Sequence, residues 1–167
     1  MNQTELLPLL NAFASERLAL LLRHEAGARV VSHYDYNNTY QYVISREETH
    51  VQWLQSALAE YAAPLPPPAA TIPVPELVKT KKPDAKVFSG ILEDDARHLA
   101  AFVAKWRPRV KAMTHARHRI LLDVVLGESA EHQRLFEQAA SGMEDVLGRR
   151  TGGVARQGAV LPARWME

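Results

Sequence analysis

"APLPPPAATIPVPELVKTKKPD" occupies residues 63–84 and holds seven of the ten prolines in a chain of 167 residues. Proline lacks the amide proton and clashes with the preceding turn, so this run is not a helix interior. It is also long for a connection inside a compact domain. An extended proline-rich chain advances about 3.1 Å per residue, enough to pass a helix of two dozen residues (~36 Å) with slack. Two readings follow: a crossover from one end of a helical bundle to the other, or a flexible linker between two hairpins. The sequence on either side bears on the choice.

Upstream, residues 4–34 repeat apolar positions at intervals of three and four, and Leu7, Leu10, Ala14, Leu18, Leu21, Glu25, Ala28 and Ser32 trace one helical stripe. "YDYNN" at 34–38 is the predicted turn, because asparagine tolerates turn conformations, and Thr39 is placed to cap a second helix reaching about residue 62. That helix carries Tyr40, Val43, Glu47, His50, Leu54 and Tyr61 on one face. Downstream, a third helix is predicted from about Ala85 to Arg107, with Phe88, Leu92, Asp95, Leu99, Phe102 and Trp106 as its stripe. A turn within 107–115 leads to a fourth helix with Leu121, Val125, Glu128, His132, Leu135 and Ala139, ending near the glycines at 142–148. The expectation is an all-α domain over 1–147, two antiparallel hairpins joined by the crossover at 63–84, followed by an extended tail at 148–167.

The bulk numbers are those of one globular domain, with 47% hydrophobic and 23% charged residues. A net charge of +1 gives no reason to expect a nucleic acid or membrane partner. The absence of cysteine excludes disulfides, zinc ribbons and iron–sulfur clusters. "MNQTELLPLL" lacks the basic start and apolar core of a signal peptide, and no apolar run nears the roughly 20 residues needed to span a bilayer. A cytoplasmic location is expected.

Each stripe has one carboxylate where an aliphatic residue belongs: Glu25, Glu47, Asp95 and Glu128. Burying an isolated carboxylate costs more than a helix stripe returns, so these acids either face solvent or meet positive charge inside. In an antiparallel hairpin, residues equidistant from the turn are level. Glu25 and Glu47 are equidistant from Tyr36, and Asp95 and Glu128 are equidistant from the second predicted turn. His50 follows Glu47 by three residues and His132 follows Glu128 by four. Carboxylates and imidazoles converging in a bundle core form the ligand set of a di-iron or di-manganese site.

This pattern resembles the ferritin-like superfamily of rubrerythrins, ferritins and manganese catalases, over about residues 4–147. The resemblance implies two iron or manganese ions. Glu25 and His50 would be ligands of the first, Asp95 and His132 of the second, and Glu47 and Glu128 would bridge them. Glu131 and His98 are substitute candidates for the second metal. It further implies an oxidoreductase that reacts with O2 or peroxide or oxidises iron, with a small-molecule oxidant or metal ions as partners. An external electron donor would be needed, since the chain has no cysteine centre of its own. A homo-oligomer is left open.

The alternative is a metal-free helical bundle, a binding or structural module with a degenerate metal site. Its acids would pair with Arg17, Arg29, Arg97 or histidines. His24, His33, His115 and His118 read as surface or turn residues, and Tyr34, Tyr36, Tyr40 and Tyr42 as packing at the hairpin end.

Overall fold

A computed structural model describes residues 3–77 and 85–148. Four helices, α1 (Gln3–Val30), α2 (Tyr34–Ala59), α3 (Ser89–Lys111) and α4 (Ala116–Ala140), pair as two antiparallel hairpins, α1 with α2 and α3 with α4. A short 3-10 turn, Ala85–Phe88, leads into α3. No strand occurs among the described residues, and no helix among them is long and apolar enough to cross a membrane.

The first turn is Val31–His33, four residues earlier than "YDYNN" suggested. Those residues instead form the first turns of α2, with Asp35 favourably placed at the positive end of the helix dipole. Asn37 does act on the turn, but from inside the helix. Its side-chain amide donates to the carbonyls of Ala28 (2.7 Å) and Val31 (3.0 Å), satisfying acceptors left open at the end of α1. Thr39 does not cap α2; its hydroxyl donates to the Asp35 carbonyl within the helix.

The second turn, Ala112–His115, falls inside the predicted window. Pro108 does not end α3, which continues one further turn to Lys111. His115 caps α4, its ring accepting from the His118 backbone N–H. Two residues past the end of α4, Gly142 turns the chain with a φ of +96°, which suits a residue without Cβ. The Met143 amide reaches back to the Gln138 carbonyl (3.1 Å) and that of Gly142 to Ala139 (3.0 Å), a Schellman closure.

Residues 63–77 form neither helix nor strand, as the prolines require. They are tied to α1 where the Ala69 amide donates to the Ser15 carbonyl (3.0 Å) and the Ser15 hydroxyl to the Pro67 carbonyl (2.6 Å). Leu65, Ile72 and Val74 pack against the core from this segment. Residues 78–84 and the tail from 149 onward lie outside the described residues, so the extended tail is not described.

The core is continuous through all four helices. Phe13 of α1 meets Phe102 and Trp106 of α3 at ring-centroid distances of 5.0 and 5.1 Å. The predicted stripes of α2 and α3 are the buried ones, including Glu47, His50 and Asp95, except for Tyr61, which lies past the end of α2 and is half-buried. That of α1 is rotated by about one residue, although Leu10, Ala14 and Leu21 of the predicted stripe are buried as well; in α4, Val125, His132, Leu135 and Ala139 are buried as predicted, while Leu121 and Glu128 give way to Leu122 and Ser129. α1 buries Leu6, Leu10, Phe13, Arg17, Leu20, His24, Gly27 and Val31; α4 buries His118, Leu122, Val125, Ser129, His132, Phe136 and Ala139.

Candidate functional site

That one-residue rotation decides which side chains meet at the centre. With the turn centred on Ser32, the residue level with Glu47 is Arg17, not Glu25. Both Arg17 and Glu47 are 0% exposed, and one guanidinium nitrogen is hydrogen-bonded to Glu47 Oε1. The other terminal nitrogen donates to Ser129 Oγ of α4 at 3.0 Å. Ser129 passes its own proton to the Val125 carbonyl (2.7 Å), which leaves its oxygen free to accept from Arg17. The second Glu47 oxygen lies 2.8 Å from Nδ1 of His24, and His132 Nδ1 stands 3.7 Å from the first. Burial alone pushes the Glu47 carboxyl up, but Arg17, His24 and His132 outweigh it and hold the group well below the usual carboxylate range. Burial lowers the Arg17 pKa, an effect its partner Glu47 opposes.

The layer continues through His24 to Asp95. His24 Nε2 faces Asp95 Oδ1 at 3.7 Å, Arg23 approaches the same oxygen at 3.2 Å, and the Tyr40 hydroxyl donates to the other. Burial raises the Asp95 pKa against the charges of His24 and Arg23 and the Tyr40 hydrogen bond. Burial likewise raises the Tyr40 pKa, and the Asp95 charge adds to the effect. On the other side, His50 Nε2 donates to Glu128 Oε2 at 2.9 Å, and its ring stacks on His132 at 6.0 Å between centroids. Burial, then the Arg17 charge, lowers the His50 pKa to about 4. A belt of acids and bases therefore runs through the bundle and touches all four helices.

Of the sequence-predicted residues, Glu47, His50, Asp95 and His132 belong to this belt. Glu25 does not; it sits one position beyond His24 on the rim of α1, with Arg29 4.0 Å away. Glu128 points to the half-exposed edge, where Arg46 grips both of its oxygens at 2.6 and 3.0 Å. These bonds, more than the His50 contact, hold its carboxyl below the usual range. Glu131 is exposed and paired with Arg134, and His98 lies 3.4 Å from Asp94 on the outside of α3. Arg97 also pairs with Asp94. His24 and His118, read from sequence as surface or turn residues, are buried.

These donors do not fit a two-metal centre. A bridging Glu47 would have to present both oxygens to cations, and Arg17 and His24 already hold them. Three residues after Ser129 comes His132, the spacing of Glu47 and His50 with a hydroxyl in place of the carboxylate. Among the described residues, no group of three or more acidic or histidine side chains is arranged to hold a metal ion. The sequence signal for this was the alternate stripe on α1, in which Arg17 and His24 are seven residues apart, two helical turns. Comparison with known proteins adds nothing to this geometry: no family model, curated protein or solved structure matches the chain.

Proposed function

We propose that this protein is a metal-free helical-bundle binding module in which Arg17 supplies the positive charge that metal ions supply in di-metal carboxylate bundles. The observation that carries this reading is the Arg17 guanidinium, fully buried between Glu47 and Ser129. A cation beside it would face repulsion in a medium of low dielectric, while Glu47 has no unpaired charge left to offer. Arg17, His24, Glu47 and Asp95 are all sealed from solvent, so a substrate would reach them only if the core opened.

The ferritin-like arrangement, with its crossover, belongs to the same proposal. Tyr40 near the start of α2 meets Asp95 near the start of α3, while Glu60 after α2 meets Arg117 at the start of α4. These contacts support a segment that runs the length of the bundle between α2 and α3. In this reading the chain keeps the bundle of the ferritin-like superfamily and has lost its metal chemistry.

Elemental analysis of untagged protein, paired with melting curves at pH 7 in the presence of Fe(II) or Mn(II), tests the proposal. The expected result is substoichiometric metal and an unchanged Tm. One or two tightly held ions per chain, with a Tm that rises on metal addition, would return the di-metal oxidoreductase reading.

A further inference from the structure

One turn beyond the buried belt, where the Trp53 ring lies 5.7 Å from that of His50, a cleft of about 360 Å³ opens between the last turns of α2 and the first turns of α4. Its volume is in the range of small-molecule sites. Trp53 and Ala57 on α2, and Leu121 and Val124 on α4, give it apolar lining; Glu60, Arg117 and His118 bring the polar groups. Val124 is 43% exposed, a high value for a large aliphatic residue beside a tryptophan.

The His118 ring carries an unmet demand. The residue is 1% exposed, and its Nε2 is buried without a hydrogen-bond partner. Its Nδ1 lies 2.7 Å from Nδ1 of His115, which also faces the His118 backbone N–H at 3.4 Å. The lone pair of His115 Nδ1 is therefore the acceptor, and the proton between the rings belongs to His118. Neutral His118 then has a bare lone pair at Nε2. Burial, followed by the neighbouring His115, lowers its pKa and favours that neutral form. The nearest carboxylate oxygen is Glu60 Oε2 at 3.7 Å, a second acceptor; the other Glu60 oxygen is held by Arg117 at 2.8 Å. The buried His118 Nε2 thus faces an acceptor on the exposed Glu60 rather than a donor, an arrangement that costs free energy until a donor arrives.

We propose that this cleft binds a small, flat apolar molecule bearing one neutral hydrogen-bond donor, of the phenol type, whose hydroxyl donates to His118 Nε2 beside Glu60. The ring rests on Trp53, Leu121 and Val124. An anion is disfavoured because both facing groups are acceptors. A cation is disfavoured by Arg117 and by the positive end of the α4 dipole. The proposal names the ligand class of the binding-module reading and rests on that reading. The two fail separately, because metal content decides the reading and a titration with an organic probe decides the cleft.

The test is a calorimetric or NMR titration of the full chain with 4-methylphenol and with 4-methylanisole, in which the donor is capped. Saturable 1:1 binding of the phenol is expected, with the capped analogue weaker by about tenfold, the value of one buried hydrogen bond. Val124→Trp fills the cleft from its exposed rim and is expected to abolish binding. His118→Phe keeps the ring, removes the acceptor and is expected to erase the preference for the phenol. If His118→Phe fails to fold, Val124→Trp and the capped analogue still decide. No saturable binding, equal affinity for the two probes, or binding untouched by Val124→Trp would overturn the proposal.

Discussion

Arg17 brings a charge among four helices, and its cost is met only because each end of the guanidinium finds a partner from a different helix. Removing one member of such a buried pair leaves the other uncompensated, typically at about 3–5 kcal/mol, whereas removing both charges is far milder. Arg17→Met is therefore expected to destabilise the fold by about that amount in urea denaturation, and Arg17→Met with Glu47→Gln to recover most of the loss. Equal losses in the single and double variants would show that the pair is not coupled. His50 sets a pH dependence. The unfolded chain takes up a proton at His50 near pH 6.5, while the folded state refuses it until about pH 4. The unfolded state thus binds more protons in that window, and stability falls as the pH drops through it. Glu47 acts at more acidic pH: its contribution is present above about pH 4.3 and is lost as the pH falls through its lower folded value. Urea denaturation between pH 7 and 4.5 should show a shallower fall for His50→Gln than for the parent; identical slopes would remove His50 as the cause.

At the scale of helices, α1 and α2 approach closely because Gly27 has no Cβ. One added there would lie 2.9 Å from Tyr40 Cε1 and 3.0 Å from its hydroxyl oxygen, the group that donates to Asp95. Gly27→Ala should push Tyr40 off Asp95 and lower stability by about 1–3 kcal/mol, the usual cost of overpacking. Gly127 in α4 has nothing within 4 Å of the same position, so Gly127→Ala should stabilise by up to about 1 kcal/mol through helix propensity alone. Thermal melts of the two variants should move in opposite directions. The α2 and α3 stripes were readable in the sequence, because their apolar residues keep to one side. α1 has leucines at 6, 7, 9, 10, 18, 20, 21 and 22, so two adjacent stripes fit its pattern equally well. Phe13 was the useful signal, since it is in the buried stripe and outside the predicted one.

Across the whole molecule, the proposed crossover makes a demand on chain length. α2 has 26 residues and is about 39 Å long, whereas a connection of eight residues reaches only about 30 Å. Replacing residues 63–84 by a single glycine leaves eight residues between Ala59 of α2 and Ser89 of α3 and should therefore prevent the monomer from closing, seen as a lowered Tm or a swapped dimer on sizing. A monomer with the parent's Tm would mean that α2 ends beside the start of α3, and the crossover reading would fall. The proline-rich segment also supplies Leu65, Ile72 and Val74 to the core, so its loss should be felt in stability as well as in connectivity. From sequence alone came the four helices, the non-helical stretch between their two pairs, and the acids that interrupt apolar stripes, because these depend on local periodicity and proline chemistry. The partners of those acids were settled only in three dimensions. A residue's level partner across a hairpin moves by twice any error in the turn, so a turn four residues early replaces Glu25 by Arg17 opposite Glu47. A buried arginine is tolerated only where other helices bring it a carboxylate and a hydroxyl, and no pattern within α1 records their arrival.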